Sequence, residues 1–174
     1  MDLLIAMVGL PRSGKSTWAV NQQIPIACPD AIRFAMHGHA WIPLAEPLIW
    51  AIAGIMVRAL FLAGHHIVII DGCHVKHEQR QFWVDMGDRE GWRTIFKEIK
   101  TQESTCIDRC GEDKKMAAVV HEMAKEYETL HDHDLTVPST IKDYLDGPWP
   151  GSQLLKKLLK DPRPTPPRVG EGRS

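Results

Sequence analysis

Residues 3–8, Leu-Leu-Ile-Ala-Met-Val, form a continuous apolar run that stops at Gly9, and from that glycine the chain reads Gly-Leu-Pro-Arg-Ser-Gly-Lys-Ser-Thr. A short unbroken apolar run fits a strand buried on both faces, and such strands belong to parallel sheets. The pattern G-x-x-x-x-G-K-[ST] directly after such a strand is a phosphate-binding loop. Glycines at 9 and 14 allow the tight turn that aims backbone N–H groups at phosphate oxygens. A helix expected over residues 17–23 adds its positive end to the same anion. On this pattern Gly9, Pro11, Arg12, Ser13, Gly14, Lys15, Ser16 and Thr17 bind a nucleoside triphosphate, ATP in the first instance. Lys15 reaches the β- and γ-phosphates, and the Ser16 hydroxyl is a ligand for Mg2+.

The rest of the chain alternates strand and helix. Residues 25–28 read as a second short strand and Pro29-Asp30 as the start of a helix. Residues 45–63 read as a long helix, apolar on most faces and stopped by Gly64. Four β-branched residues, Ile67 to Ile70, make the clearest strand and run into Asp71-Gly72. A helix over 76–90, a strand over 93–99 and helices over 103–110 and 117–130 follow. The charged stretch Gly111-Glu112-Asp113-Lys114-Lys115 reads as a lid. This alternation, with the phosphate loop after the first strand, predicts an α/β fold: a doubly wound parallel sheet of the P-loop kinase type with a helical lid. A length of 174 residues suits one such domain, over 1–150. A short amphipathic helix at 152–160 and a basic, Pro/Gly-rich tail complete 151–174.

Composition excludes several classes. A net charge of -1 argues against a broad basic surface for tight non-specific DNA binding. The apolar stretch 47–63 is interrupted by Arg58 and contains Gly54, so it falls short of a membrane span of about 20 residues and reads as a buried helix. No basic leader precedes the first strand, which makes a cytoplasmic location the expectation. Cys28, Cys73, Cys106 and Cys110 lack C-x-x-C pairs and are expected as reduced thiols. The His37/His39, His74/His77 and His131/His133 pairs have no zinc-like spacing to other ligands. No membrane and no obligate protein partner are expected.

Phosphoryl transfer needs positioning and charge balance, so the residues to seek are a carboxylate for the acceptor hydroxyl and cations for the transferred group. Asp71, at the end of a strand, would hold Mg2+ together with Ser16; a plain turn before glycine is the simpler role. Asp30 lies past the second strand, and Arg33 one helical turn onward on the same face, so they form an acceptor pair of base and anion clamp. A helix cap for Asp30 and a solvated charge for Arg33 are the alternatives. Arg109, near Lys114 and Lys115, is the candidate mobile cation over the triphosphate. His74 is a candidate substrate contact, with a surface turn as the simpler role; Trp41 or Trp83 could stack on a nucleobase, with core packing as the simpler role of these two, of Trp18 and of the other tryptophans.

Three blocks resemble the polynucleotide kinase branch of P-loop kinases: residues 9–19, Pro-Asp-Ala-Ile-Arg at 29–33, and Ile-Ile-Asp-Gly-Cys-His at 69–74. Glu78-Gln79-Arg80 and Arg109 are weaker matches. The resemblance implies that Asp30 is the general base, that Arg33 grips an acceptor phosphate, and that Asp71 belongs to the catalytic centre. It implies ATP and Mg2+ as cofactors and DNA as the acceptor, at a 5′-hydroxyl or at the hydroxyl of a base such as a 5-hydroxymethylpyrimidine. Arg12 stands where the family usually has a small residue, and Gly72 where it often has threonine. A small-molecule kinase for a nucleoside, sugar or antibiotic, or a non-catalytic ATP-dependent binding module, uses the same loop.

Overall fold

The computed structural model describes residues 2–38 and 41–131. The expected helix at 152–160 and the tail lie outside those residues. Four strands, β1 (Asp2–Val8), β2 (Ile26–Ala27), β3 (Ile67–Ile70) and β4 (Trp92–Glu98), pair in the order β2-β3-β1-β4, every pairing parallel. Helices α1 (Lys15–Asn21), α2 (Pro29–His37), α3 (Glu46–Leu62), α4 (His77–Glu90), α5 (Glu103–Asp108) and α6 (Lys114–Lys125) connect and flank them, with a short 3-10 turn at Pro43–Ala45 before α3. The doubly wound parallel α/β sheet is therefore the fold.

Successive residues of a strand face opposite sides, so one apolar run can supply two cores. β1 does this. Leu4, Ala6 and Val8 join Val68, Ile70 and Phe96 under α3 and α4, whereas Leu3, Ile5 and Met7 join Ile67, Ile69 and Ile95 beneath α1. All six of these β1 residues are almost fully buried. A third cluster of Leu10, Val75, Cys106, Cys110 and Val120 fastens α5 and α6 against the phosphate loop.

Boundaries shift where local chemistry overrides pattern. β2 shrinks to two residues because Pro25 precedes it and Cys28 already acts as the N-cap of α2, with Pro29 in its first turn. The stretch 111–115 does not stand alone as a lid loop. Asp113 accepts a hydrogen bond from the Met116 amide at 3.0 Å and caps α6, so Lys114 and Lys115 form that helix's first turn. The 45–63 segment is one-sided rather than wholly buried: Ile49, Ala53, Val57 and Phe61 face the sheet, while Leu48, Ile55 and Leu62 are exposed. Among the described residues, 43–62 is the one helical span long and apolar enough to cross a membrane, with 33% of it buried against the protein.

Gly87 marks the tightest contact between α4 and the sheet. A Cβ there would lie 2.8 Å from the Trp92 carbonyl oxygen, which is backbone and cannot step aside. Gly87→Ala should therefore cost about 1–3 kcal/mol, read as a lower denaturation midpoint in urea with an unchanged slope. Unaltered stability would contradict this packing.

Candidate functional site

Because every strand is parallel, the four C-terminal ends share one edge, and the loops that leave it carry the candidate residues: 9–14 after β1, Pro29-Asp30 after β2, Asp71 after β3 and Thr101 after β4. Gly9 is the hinge of this edge. Its φ of +145° and the 2.7 Å distance from a would-be Cβ to the Ile99 carbonyl oxygen leave room for no other residue. Its amide donates to the Cys73 carbonyl at 3.0 Å, which joins the loop after β1 to the segment after β3.

The loop is fixed from several sides. Arg12 (φ 62°) and Gly14 (φ 104°) take the left-handed conformations that curl it. Lys15 is 6% exposed, and its ammonium donates across the loop to the Leu10 carbonyl at 2.6 Å and to Ser13 Oγ at 3.4 Å. Thr101 Oγ1 donates to the Ser13 carbonyl at 2.9 Å. Arg109, the C-cap of α5, donates through Nη1 to the Arg12 carbonyl at 2.9 Å. The expected mobile cation thus sits exposed at the rim of the phosphate loop, while Lys114 and Lys115 belong to the exposed start of α6.

Ser16 and Asp71 meet through a side-chain hydrogen bond, as a metal site needs. Burial raises the Asp71 pKa above the usual carboxylate value; the Ser16 bond and the charge of Lys15 pull it back, and Asp30 pushes it further up. A hydroxyl and a carboxylate beside a phosphate loop are the hard oxygen donors Mg2+ takes, with phosphate and water completing its shell. These two residues would hold it, and the residues present fit the ion.

On the acceptor side, Asp30 is 86% exposed at its side chain and accepts from Arg33 Nη1 at 2.6 Å. Arg33 does not stand as a free cation. Its Nε and Nη2 donate to both oxygens of Glu46, at 2.7 and 2.5 Å, and Trp41 lies 4.9 Å from its guanidinium carbon. The Glu46 hydrogen bonds, above all, hold the Arg33 pKa up. In this arrangement the Arg33 guanidinium is bonded to two carboxylates, Asp30 and Glu46.

His74 corrects an expectation. It is 2% exposed, in a left-handed conformation (φ 40°), so its ring offers little surface to a substrate although it borders the cavity beside Trp50. Nδ1 lies 2.7 Å from the Met7 carbonyl and Nε2 accepts from Trp83 Nε1 at 2.8 Å, which fixes Nδ1 as the protonated nitrogen of a neutral ring. Trp83 is likewise 0% exposed, a core residue rather than a stacking platform. Trp41 remains 64% exposed beside the acceptor pair, and Trp18 is half-buried against the second core. A cavity of about 730 Å3 opens near the acceptor pair, with Trp50, His77, Glu78, Gln81, Phe82 and Asp85 among its walls. Trp50 links the two, its ring 5.9 Å from the Arg33 guanidinium. Glu46 and Thr101 carried no motif. The only sequence signal for Glu46 is an acidic residue at the entry of a helix that packs on α2.

Residues 4–128 match the model of the AAA domain family. The chain belongs to that family. No curated protein matches it. Among solved structures, this AAA domain protein is similar to a chain of the Pnkp1/Rnl/Hen1 complex, with 26% identity and a TM-score of 0.57 over 63% of this chain and 39% of that one. A second structure, of the Pnkp1/Rnl/Hen1 RNA repair complex, gives 21% identity and a TM-score of 0.55 over 79% and 52%. The AAA domain protein thus spans between two fifths and about half of those chains. The APS kinase CysC of Mycobacterium tuberculosis, solved with AMPPNP and APS, has the same fold at 16% identity and a TM-score of 0.57, over 91% of this chain and 98% of that one. The chain is a kinase-type P-loop protein, and the similarity to the Pnkp1 complex bears out the resemblance to the polynucleotide kinase branch.

Burial lowers the His74 pKa from 6.5 to about 4, against the opposing effect of its bond to Met7. The unfolded chain therefore binds this proton more tightly, and the stability His74 contributes is intact above pH 6.5 and lost as pH falls from 6.5 towards 4. The loss at stake is on the order of 3 kcal/mol. In denaturant titrations between pH 7 and 4.5, His74→Phe should lose less stability than the parent chain. Parallel losses in both would show that His74 is not the titrating group.

Proposed function

We propose that this protein transfers the γ-phosphoryl group of ATP to a hydroxyl of nucleic acid, the 5′-hydroxyl of DNA or the hydroxyl of a modified base such as 5-hydroxymethylpyrimidine. The observation that carries this reading is Asp30, an exposed carboxylate that Arg33 and Glu46 hold at the same sheet edge as the phosphate loop and Asp71. Asp30 accepts the proton of the acceptor hydroxyl as its oxygen forms a bond to the γ-phosphorus and the bond to the β–γ bridging oxygen breaks, leaving ADP. Lys15 and Arg109 balance charge on the phosphates. Mg2+ between Ser16 and Asp71 would neutralise the phosphate oxygens when bound.

Trp41, exposed beside Arg33, supports an acceptor with a base to stack. The RNA repair setting of the similar Pnkp1 complex supports nucleic acid as the polymer. A second reading, a small-molecule acceptor, draws on the cavity by Trp50: its lining includes Glu78, Asp85 and Glu128, which repel a phosphodiester backbone. That charge pattern suits an uncharged or amine-bearing alcohol.

Incubation with γ-labelled ATP and a panel of 5′-hydroxyl DNA and RNA, hydroxymethylpyrimidine DNA, and small alcohols decides between them. Label on nucleic acid is the expected result. Label on a small alcohol alone transfers the assignment to the second reading, and label on nothing overturns both. On the accepted substrate, Lys15→Ala should weaken ATP binding, whereas Asp30→Asn should bind ATP normally and transfer roughly a hundredfold or more slowly. Equal loss of binding in both variants would refute the division of roles.

A further inference from the structure

The outward face of α3 carries an apolar pattern that the site does not use. Leu48, Ala51, Ile55, Ala59 and Leu62 are all exposed, with Leu48 at 54%, Ile55 at 58% and Leu62 at 82%. At about 100° per residue they fall within an arc of roughly 80°, on the side opposite Ile49, Ala53, Val57 and Phe61, which bind the sheet. Leu44, 96% exposed in the turn before α3, extends the stripe by one more step of four residues.

The stripe is a palindrome. Its spacing is three, four, four and three residues, and its residues are Leu, Ala, Ile, Ala and Leu, symmetric about Ile55. A two-fold interface places one patch against itself, so residue i meets j and j meets i. Two α3 helices packed antiparallel about Ile55 satisfy that condition: Leu48 faces the partner's Leu62, Ala51 faces the partner's Ala59, and Ile55 faces the partner's Ile55. The small alanines between the large side chains let the helices interdigitate. Arg58 flanks the stripe and already forms an ion pair with Glu90, so no unpaired cation enters the seam. The five stripe residues offer roughly 400 Å2 per copy, about 800 Å2 in total, the size of a weak, concentration-dependent interface; Leu44, eleven residues from the axis, meets no stripe residue of the partner. A membrane-surface helix would instead require lysines and arginines bordering its apolar face, and α3 contains Arg58 alone against Glu46.

We propose that the apolar stripe of α3 is an isologous dimer interface whose occupant is a second copy of this chain, with the two-fold axis at Ile55. The inference does not depend on which acceptor the kinase-type site uses. Sedimentation velocity on the full chain at roughly 100 μM, a hundredfold above a micromolar Kd, should show a dimer. Ile55→Glu places two carboxylates against each other on the axis and should weaken association at least a hundredfold, with ATP binding unchanged as the check on folding. Ile55→Cys should form a disulfide-linked dimer on mild oxidation beyond that of the parent cysteines. Leu48→Cys should cross-link with Leu62→Cys when the two are mixed, and not with itself. A parent chain that is monomeric at this concentration overturns the proposal, whether or not it sediments with phosphatidylcholine or phosphatidylglycerol vesicles. So does a dimer that survives Ile55→Glu with its mass unchanged, or a Leu48→Cys self-link as efficient as the mixed one.

Discussion

The parallel pairing of β1 with β3 is the constraint from which the site follows. Leu3 to Ala6 align with Ile67 to Ile70; β1 runs two residues further, to Val8, and the Gly9 amide then binds the Cys73 carbonyl. That short tie brings the phosphate loop beside Asp71 and lets Ser16 reach it. The tie tolerates no side chain at Gly9, where the Ile99 carbonyl closes in from the third direction. Apolar burial on both faces of β1 holds the register, because a one-residue slip would exchange its two side-chain sets between cores of different shape.

His74 and Arg80 perform the same service from the α4 side. The His74 ring joins the end of β1, through Met7, to Trp83 on α4, and Arg80 donates from within the core to the carbonyls of His74, Val75 and Thr129. Buried polar groups of this kind are acceptable when their bonds are made, and they then specify one arrangement. The residues just after β3 are thus positioned from both sides, and Asp71 at 9% exposure inherits a raised pKa from the burial that holds it. A site that needs Asp71 ionised gives up some of its acid range for that rigidity.

Local pattern carried the fold and the donor side. β1, β3 and the phosphate loop are short-range signals, each written in under ten consecutive residues, and their sequence spacing implies the parallel order. The acceptor side was less legible because its meaning is tertiary. Asp30 and Arg33 could be paired by helix spacing, yet the restraint on Arg33 comes from Glu46, thirteen residues on. Core packing is the simpler reading of Trp83 and is what the structure shows, but His74 looks like a surface turn in a polar stretch, and only the packing of α4 on the sheet buries it. The one-sided burial of α3 was hidden for the opposite reason: a helix apolar on most faces has no polar side to mark which face is free.

The central claim is that the phosphate loop and Asp71 form one metal-assisted triphosphate site. Calorimetric titration with ATP, in the presence and absence of Mg2+, tests it most directly. The account predicts that Mg2+ tightens ATP binding to the parent chain, and that Ser16→Ala and Asp71→Asn lose most of that tightening while retaining binding of metal-free ATP. Wild-type Mg2+ dependence in both variants would contradict it.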